Sequence, residues 1–355
     1  MRIKQKILDD VSFITTVFNE EESITGFMES LMEQSCLPRE IVIVDGGSRD
    51  GTLRKISGFL KKIGLNEKNA GETGHSKSGD IKIDGWLELG DSGVNIKVIE
   101  KKGANISQGR NEAIKASSGR IICASDAGCV LDKNWMVEIT KFYSSSSAGV
   151  AGGLSSPYCR NFIGKCLAVC VMPLKEEINP GRYMPSSRNI SFTRKAWVDA
   201  GGYPEDMDYG EDMKFNFNIK SKGYRIKFNP DAVVLWKMRE NPARIFLQFF
   251  RYAKGDAEGK MYPQRHVIRF SAFLGAVLII LGAIFLSSWI LFAFVPFFIY
   301  YIYKPYRRLI KSFINKDDCS FLGMEKLLSI IFIPILLLHI DLSKMCGYIR
   351  GLIKL

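Results

Sequence analysis

Histidine is scarce in this chain. Its 355 residues include three, His75, His266 and His339, and their scatter excludes a sequence-local histidine metal centre. None of the eight cysteines forms a Cys-x-x-Cys pair. Cys166 and Cys170 share a face if helical, yet no His or further Cys stands near enough to complete a zinc site. Cys123 and Cys129 lie in or beside an apolar strand, as small buried hydrophobes do, so the thiols are expected to be reduced and cytosolic. The first ten residues, MRIKQKILDD, lack a long apolar core, and no signal peptide is expected. RNA- and DNA-binding signatures are missing too, so the net charge of +12 calls for a partner other than nucleic acid. One stretch lacks charge altogether: residues 270–303 contain no Asp, Glu, Lys or Arg.

That stretch divides the chain. Up to about residue 265 the composition is that of a soluble α/β domain, and from Phe270 onward it is apolar in blocks. Two blocks, about 270–286 and 289–303, are separated only by Ser287-Ser288. Being apolar on all sides, they read as a helical hairpin in a bilayer rather than a core pair. A third block near 325–343 carries His339 and Asp341 and either spans or lies re-entrant. Lys254, Lys260, Arg265, Arg269, Lys304, Arg307, Arg308, Lys311 and Lys316 flank the blocks. Such clusters suit anionic lipid headgroups, and the positive-inside rule puts Arg265, Arg269 and Tyr306–Lys316 in the cytosol. Lys344, Arg350 and Lys354 break that rule if the third block spans, which leaves the final topology open. Residues 242–255, PARIFLQFFRYAKG, begin with Pro in a first helical turn. Ile245, Phe246, Phe249, Phe250 and Tyr252 then form a wide apolar face, suited to lying in the membrane interface.

The soluble part alternates apolar β-branched runs with helical spacing: VSFITTV at 11–17, IVIV at 41–44, IKVIE at 96–100, IICA at 121–124 and AGVAGGL at 148–154. The pattern βαβα, an insertion, then βαβαβ predicts a mostly parallel sheet with helices on both faces. Residues 64–95 are polar and rich in Gly, Ser, Asn and Lys; they form the insertion, a small hairpin or mobile loop. In open α/β sheets ligands sit beyond the carboxyl ends of the strands. There the sequence places Asn19-Glu20, Asp45 with Ser48 and Asp50, and Asp126. A carboxylate at such an end suits a hydrated divalent cation and so a diphosphate. An Asp there is also a common turn former or helix cap.

Four segments in order, TTVFNEE, IVIVDGGSRDGT, GRNEAI…GRIICASDAGC and GGY…GEDMKF, resemble the family 2 glycosyltransferases from Val11 to about Tyr252, omitting the insertion. The resemblance implies a GT-A nucleotide-sugar-binding fold over 1–240, with an interfacial helix at 241–265. The membrane region at 266–355 would hold two to three transmembrane helices. It implies that Asn19, Glu20 and Asp45 contact the base and ribose of the nucleotide, with Ser48 and Asp50 lining the same mouth and Arg110 beneath the base or phosphates. A carboxylate suits that task because it accepts from an imide N–H or ribose hydroxyls. Asp126 matches the first member of the family's Asp-x-Asp element, but the third position is Gly128, often the direct metal ligand in relatives. A magnesium or manganese ion is still expected, on Asp126, as Lewis acid for the departing nucleoside diphosphate. Glu211-Asp212 resembles the acceptor-side acidic pair, with Asp212 as general base of an inverting transfer. Arg188 and Asn189 are expected at the acceptor or diphosphate. Gln248-Phe-Phe-Arg251-Tyr252 resembles the Gln-x-x-Arg-Trp element of processive polysaccharide synthases, with Tyr for Trp; an ordinary interfacial helix reads equally well.

The implied protein is a membrane-anchored inverting glycosyltransferase, multi-pass, with its catalytic domain in the cytoplasm. It takes a UDP- or GDP-sugar, a lipid-linked or glycan acceptor and membrane lipids as partners, and no nucleic acid. The alternatives are a catalytically inactive GT-A-fold membrane scaffold, suggested by Gly128, a processive polysaccharide synthase, and a nucleotidyltransferase on a similar sheet. VFNEEES stands where that last chemistry needs a Gly-rich basic loop.

Overall fold

The computed structural model describes residues 5–64, 86–89, 93–143, 149–314 and 319–353. The chain forms two compact units, 1–156 with 178–236, and 157–177 with 237–355.

The first unit is built on a mixed sheet. Strands β1 (Lys6–Val17) and β2 (Cys36–Asp45) flank helix α1 (Ile24–Met32), and α2 (Thr52–Lys62) follows. Next come β3 (Leu87–Glu88), β4 (Asn95–Glu100), α3 (Ile106–Ala116) and β5 (Ile121–Ala124). The described order along the sheet is β3-β4-β2-β1-β5-β8-β7-β9-β6. Its remaining members are β6 (Cys129–Leu131), β7 (Val150–Tyr158), β8 (Ile190–Thr193) and β9 (Ile226–Lys237). Helices α4 (Trp135–Thr140), α6 (Arg194–Asp199) and α7 (Glu211–Ser221) complete the unit; α5 (Phe162–Val171) belongs to the other.

Alternation explains the unbroken apolar runs. Phe13, Ile41, Ile43, Ile121 and Cys123 pack into one core, and their neighbours Ile14, Val42, Val44, Ile122 and Ala124 into another on the opposite face. A strand buried on both faces has no polar side to show.

β4, β2, β1 and β5 run parallel, whereas β8 is antiparallel to β5, β7 to β8, and β6 to β9. The expected parallel character therefore holds around β1 and gives way beyond β5. The helix expected near Asp132 begins at Trp135, because Cys129–Leu131 first pair with Val234–Trp236. Two short strands expected at 224–236 are one, Ile226–Lys237. Of the insertion at 64–95, residues 65–85 and 90–92 lie outside those described; Leu87–Glu88 pair antiparallel with β4.

In the second unit the described helices are α5, α8 (Pro242–Glu258), α9 (Pro263–Phe285), α10 (Phe294–Ile314) and α11 (Met324–Ile353). Among the described residues, three helical segments are long and apolar enough to cross a membrane: Pro263–Phe285, Ser288–Ile314 and Met324–Ile353. The third is longer than its apolar block, and Gly347 and Gly351 seat it on α8. A Cβ at Gly347 would fall 2.1 Å from Phe250 O, and one at Gly351 2.6 Å from Lys254 O. This Gly-x-x-x-Gly approach lets two backbones touch. Asp341 is satisfied by Arg269 Nε and Tyr301 Oη, each at 2.8 Å.

The cysteine expectation needs one correction. Cys159 and Cys319 are joined as a disulfide across 160 positions, with Cα atoms 5.2 Å apart. Spacing rules see only near neighbours, so sequence could not pair them. Non-reduced protein should carry six alkylatable thiols, Cys36, Cys123, Cys129, Cys166, Cys170 and Cys346, counted by mass after labelling; eight would contradict the pairing.

Candidate active site

β1 lies between β2, which follows it in the chain, and β5, which comes after the chain has turned back across the sheet. That reversal is a topological switch point, where the loops leaving adjacent strands separate and open a crevice at their carboxyl ends. The β1 loop carries Asn19 and Glu20, and the β5 loop carries Ser125 and Asp126.

The β1 and β2 loops are stitched together. Asn19 sits in the left-handed region with φ 54°, which Asn tolerates better than most residues. Its N–H donates to Ser48 Oγ at 2.9 Å and its Oδ1 accepts from Arg49 N–H at 2.8 Å. Glu20 N–H donates to Thr52 Oγ1 at 2.8 Å and Glu21 N–H to Asp50 Oδ2 at 3.1 Å. Asp45 is fully buried. Its carboxylate accepts from the N–H groups of Gly47 and Ser48 at 2.8 and 2.9 Å, and from Ser48 Oγ at 2.5 Å. Asp45 thus shapes the loop that presents Ser48.

Beside them lies a buried charge cluster. Asn105 and Gln108 close a capping box at the start of α3, fixing the register in which Arg110 points inward. Arg110, 3 % exposed, donates to Glu211 Oε1 at 2.7 Å and to Asp126 Oδ1 at 2.9 Å. Its guanidinium lies 5.3 Å from the Tyr203 ring. Arg188 Nε stands 3.9 Å from Asp126 Oδ2, with its guanidinium 3.7 Å over the Trp236 ring. Glu211 and Asp212 open α7 after Gly210, at φ 76°. Asp212 is half-buried and accepts from Met213 N–H at 2.8 Å.

Burial, and then the neighbouring Asp212, push the Glu211 carboxyl up to about 7 against the opposite pull of Arg110. With the folded value above the unfolded one, proton binding favours the fold most below about 4.5. That contribution fades as pH rises toward 7, with a slope of up to about 1.4 kcal/mol per unit. Wild type should therefore lose stability relative to Glu211→Gln between those values. Parallel melting-temperature profiles would contradict the assignment.

The structure brings Arg110, Asp126, Arg188, Glu211 and Asp212 together, and Asn19, Glu20, Ser48 and Asp50 to the adjoining loops. Asn189 is not among them. It is 1 % exposed; its Oδ1 accepts from Trp135 Nε1 at 2.8 Å and its Nδ2 donates to Leu154 O and Ala232 O, each at 3.0 Å. An amide spent on three buried partners has none left for an acceptor or a diphosphate, so Asn189 is a core residue. Asn189→Ala should destabilise the fold by about 3 kcal/mol through orphaned partners, read by denaturant unfolding; unchanged stability with lost nucleotide binding would reverse this. Gln248, Arg251 and Tyr252 stand on α8 of the second unit, where Gln248 Nε2 donates to Tyr252 Oη at 2.9 Å.

Sequence reasoning missed Asn111, Tyr203 and Trp236. Asn111 clasps the loop before α7, accepting from Tyr203 N–H at 2.9 Å and donating to Tyr203 O at 2.9 Å and Glu205 Oε1 at 2.8 Å. Its adjacency to Arg110 was the available signal; Trp236 offered none.

Known proteins resemble this chain in sequence and fold. The model of glycosyl transferase family 2 matches residues 12–75, and that of glycosyl transferase family group 2 matches 127–336, more than half of the chain. Glycosyltransferase AglE of Haloferax volcanii is 24 % identical over 308 residues, covering 84 % of this chain and 85 % of that protein. Poly-beta-1,6-N-acetyl-D-glucosamine synthase of Staphylococcus aureus is 24 % identical over 263 residues, 71 % of this chain and 55 % of the synthase. The chain thus spans about half the length of that relative. Among solved structures, the mannosyltransferase PcManGT of Pyrobaculum calidifontis, in complex with GDP-Man and Mn2+, shares the fold. Its TM-score is 0.54 at 14 % identity, over 97 % of this chain and 87 % of that one. With four motifs in order on a GT-A sheet and a family model spanning most of the chain, the protein belongs to the family 2 glycosyltransferases.

Proposed function

We propose that the first unit transfers a sugar, with inversion, from a UDP- or GDP-sugar to a lipid-linked or glycan acceptor. The observation that carries this reading is the cluster Arg110–Asp126–Arg188–Glu211 at the switch point, with Asp212 one residue further on. The β1 and β2 loops, with Asn19, Glu20, Ser48 and Asp50, take the nucleoside. Arginines beside Asp126 receive the diphosphate. Asp212 removes the proton of the acceptor hydroxyl as its oxygen attacks the anomeric carbon and the bond to the diphosphate breaks. Glu211, held by Arg110, positions the start of α7.

The family resemblance brings magnesium or manganese to the diphosphate, with Asp126 to hold it. The donor set does not fit such an ion. Position 128 is glycine, Asp126 already meets two guanidinium groups, and no group of three His, Cys, Asp or Glu side chains suited to a metal occurs among the described residues.

The second unit anchors the enzyme by its apolar helices, with the catalytic unit in the cytoplasm by the positive-inside rule. The Cys159–Cys319 bond is unusual for a cytosolic face outside hyperthermophiles, so cysteine labelling from either side of sealed vesicles is the check on orientation. A processive synthase is the second reading, favoured by Gln248–Arg251–Tyr252 and by the named activity of the staphylococcal relative. The deciding experiment offers purified protein a set of UDP- and GDP-sugars. Binding of one donor with slow release of its nucleoside diphosphate supports the enzyme; no binding of any donor favours the inactive scaffold.

A further inference from the structure

We infer that Arg188, held flat on Trp236 beside Asp126, supplies the positive charge to the donor's diphosphate, so that donor binding needs no divalent cation. The inference rests on the nucleotide-sugar reading of this site.

Three observations meet here. Arg188 is largely buried, with its guanidinium 3.7 Å over the Trp236 ring and Nε 3.9 Å from Asp126 Oδ2. An arginine stacked on an indole face keeps its charge and its planar fork of donors at little further entropic cost. Trp236 in turn pairs with Cys129 through β9 and β6, so the strand that leaves the Asp126 loop also fixes the platform for the arginine.

Second, the place of the missing carboxylate is open. A Cβ at Gly128 would find its nearest neighbour, Glu20 Oε2, 4.0 Å away. Residue 128 therefore adds no second carboxylate to the Asp126 loop, and Glu20 is the acidic neighbour of that space. Third, the Asp126 carboxylate is already engaged by guanidinium groups. It faces Arg110 at 2.9 Å and Arg188 at 3.9 Å, while Arg110 is shared with Glu211 at 2.7 Å. A magnesium ion brought there would meet two guanidinium groups at close range, whereas a diphosphate would be attracted.

The test is calorimetric titration of the full chain in detergent with UDP and GDP, in EDTA and in manganese. The nucleotide that binds should do so in EDTA, with affinity within about threefold of the manganese value. Arg188→Ala should weaken it by at least about tenfold in both conditions, the loss expected for a charge-assisted contact, and Arg188→Lys by less. Gly128→Asp, which the open space admits, should restore a cation dependence absent from wild type. Wild-type binding that appears only with manganese, or an Arg188→Ala protein that binds like wild type, would overturn the inference and leave the nucleotide-sugar site standing. Binding of neither nucleotide under any condition would remove both.

Discussion

Asp212→Asn should reduce sugar transfer by about a thousandfold or more while leaving donor affinity within about threefold of wild type. The acceptor hydroxyl is a poor nucleophile until it loses its proton, and an amide cannot take it. Asp212 suits the task by position: it stands in the first turn of α7, half-buried and clear of the Arg110 bridges that occupy Glu211. The substitution is nearly isosteric, and Asn Oδ1 can still accept from Met213 N–H. Single-turnover transfer and nucleotide titration, measured on the same preparation, separate chemistry from binding. Equal loss of both would remove Asp212 from the role of base.

Arg110→Met should cost the fold about 3–5 kcal/mol, the usual consequence of stripping one partner from a buried ion pair. The Arg110 side chain links α3, the β5 loop and α7 through Asp126 and Glu211. Without it Glu211, 7 % exposed, faces Asp212 with no compensating charge and must stay protonated. The loss should therefore deepen as pH rises. The double variant Arg110→Met with Glu211→Gln should recover part of the stability, because it removes the orphaned charge as well. Denaturant unfolding of the four proteins at pH 5 and pH 7.5 measures this; a single variant as stable as wild type at both values would show that the pair is not integral to the fold.

Much of the sheet was legible because burial on both faces leaves a simple mark, four or more consecutive apolar residues closed within a residue or two by Asp or Gly. IVIVDGG and IICASD carried it clearly. Strand direction was not legible, since β8 runs antiparallel to both β5 and β7 while its Ile190 and Phe192 are as buried as the apolar residues of β5. The site divided similarly. Residues at strand ends, such as Asp126, and at a helix start, such as Asp212, could be placed from local pattern. Asn189 could not: it sits in the turn just before β8, next to Arg188, and spends its amide on core partners distant in sequence. Trp236 and the Cys159–Cys319 pair depend on contacts far apart in sequence, which no local spacing reveals.

The most direct measurement is a structure of the Asp212→Asn protein with its nucleotide sugar bound. The nucleoside should lie on the Asn19 and Ser48 loops and the diphosphate at Arg188 beside Asp126. The anomeric carbon should face position 212 from the side opposite the leaving group. A diphosphate bound elsewhere, or a position 212 on the leaving-group side of the sugar, would contradict the assignment of this site.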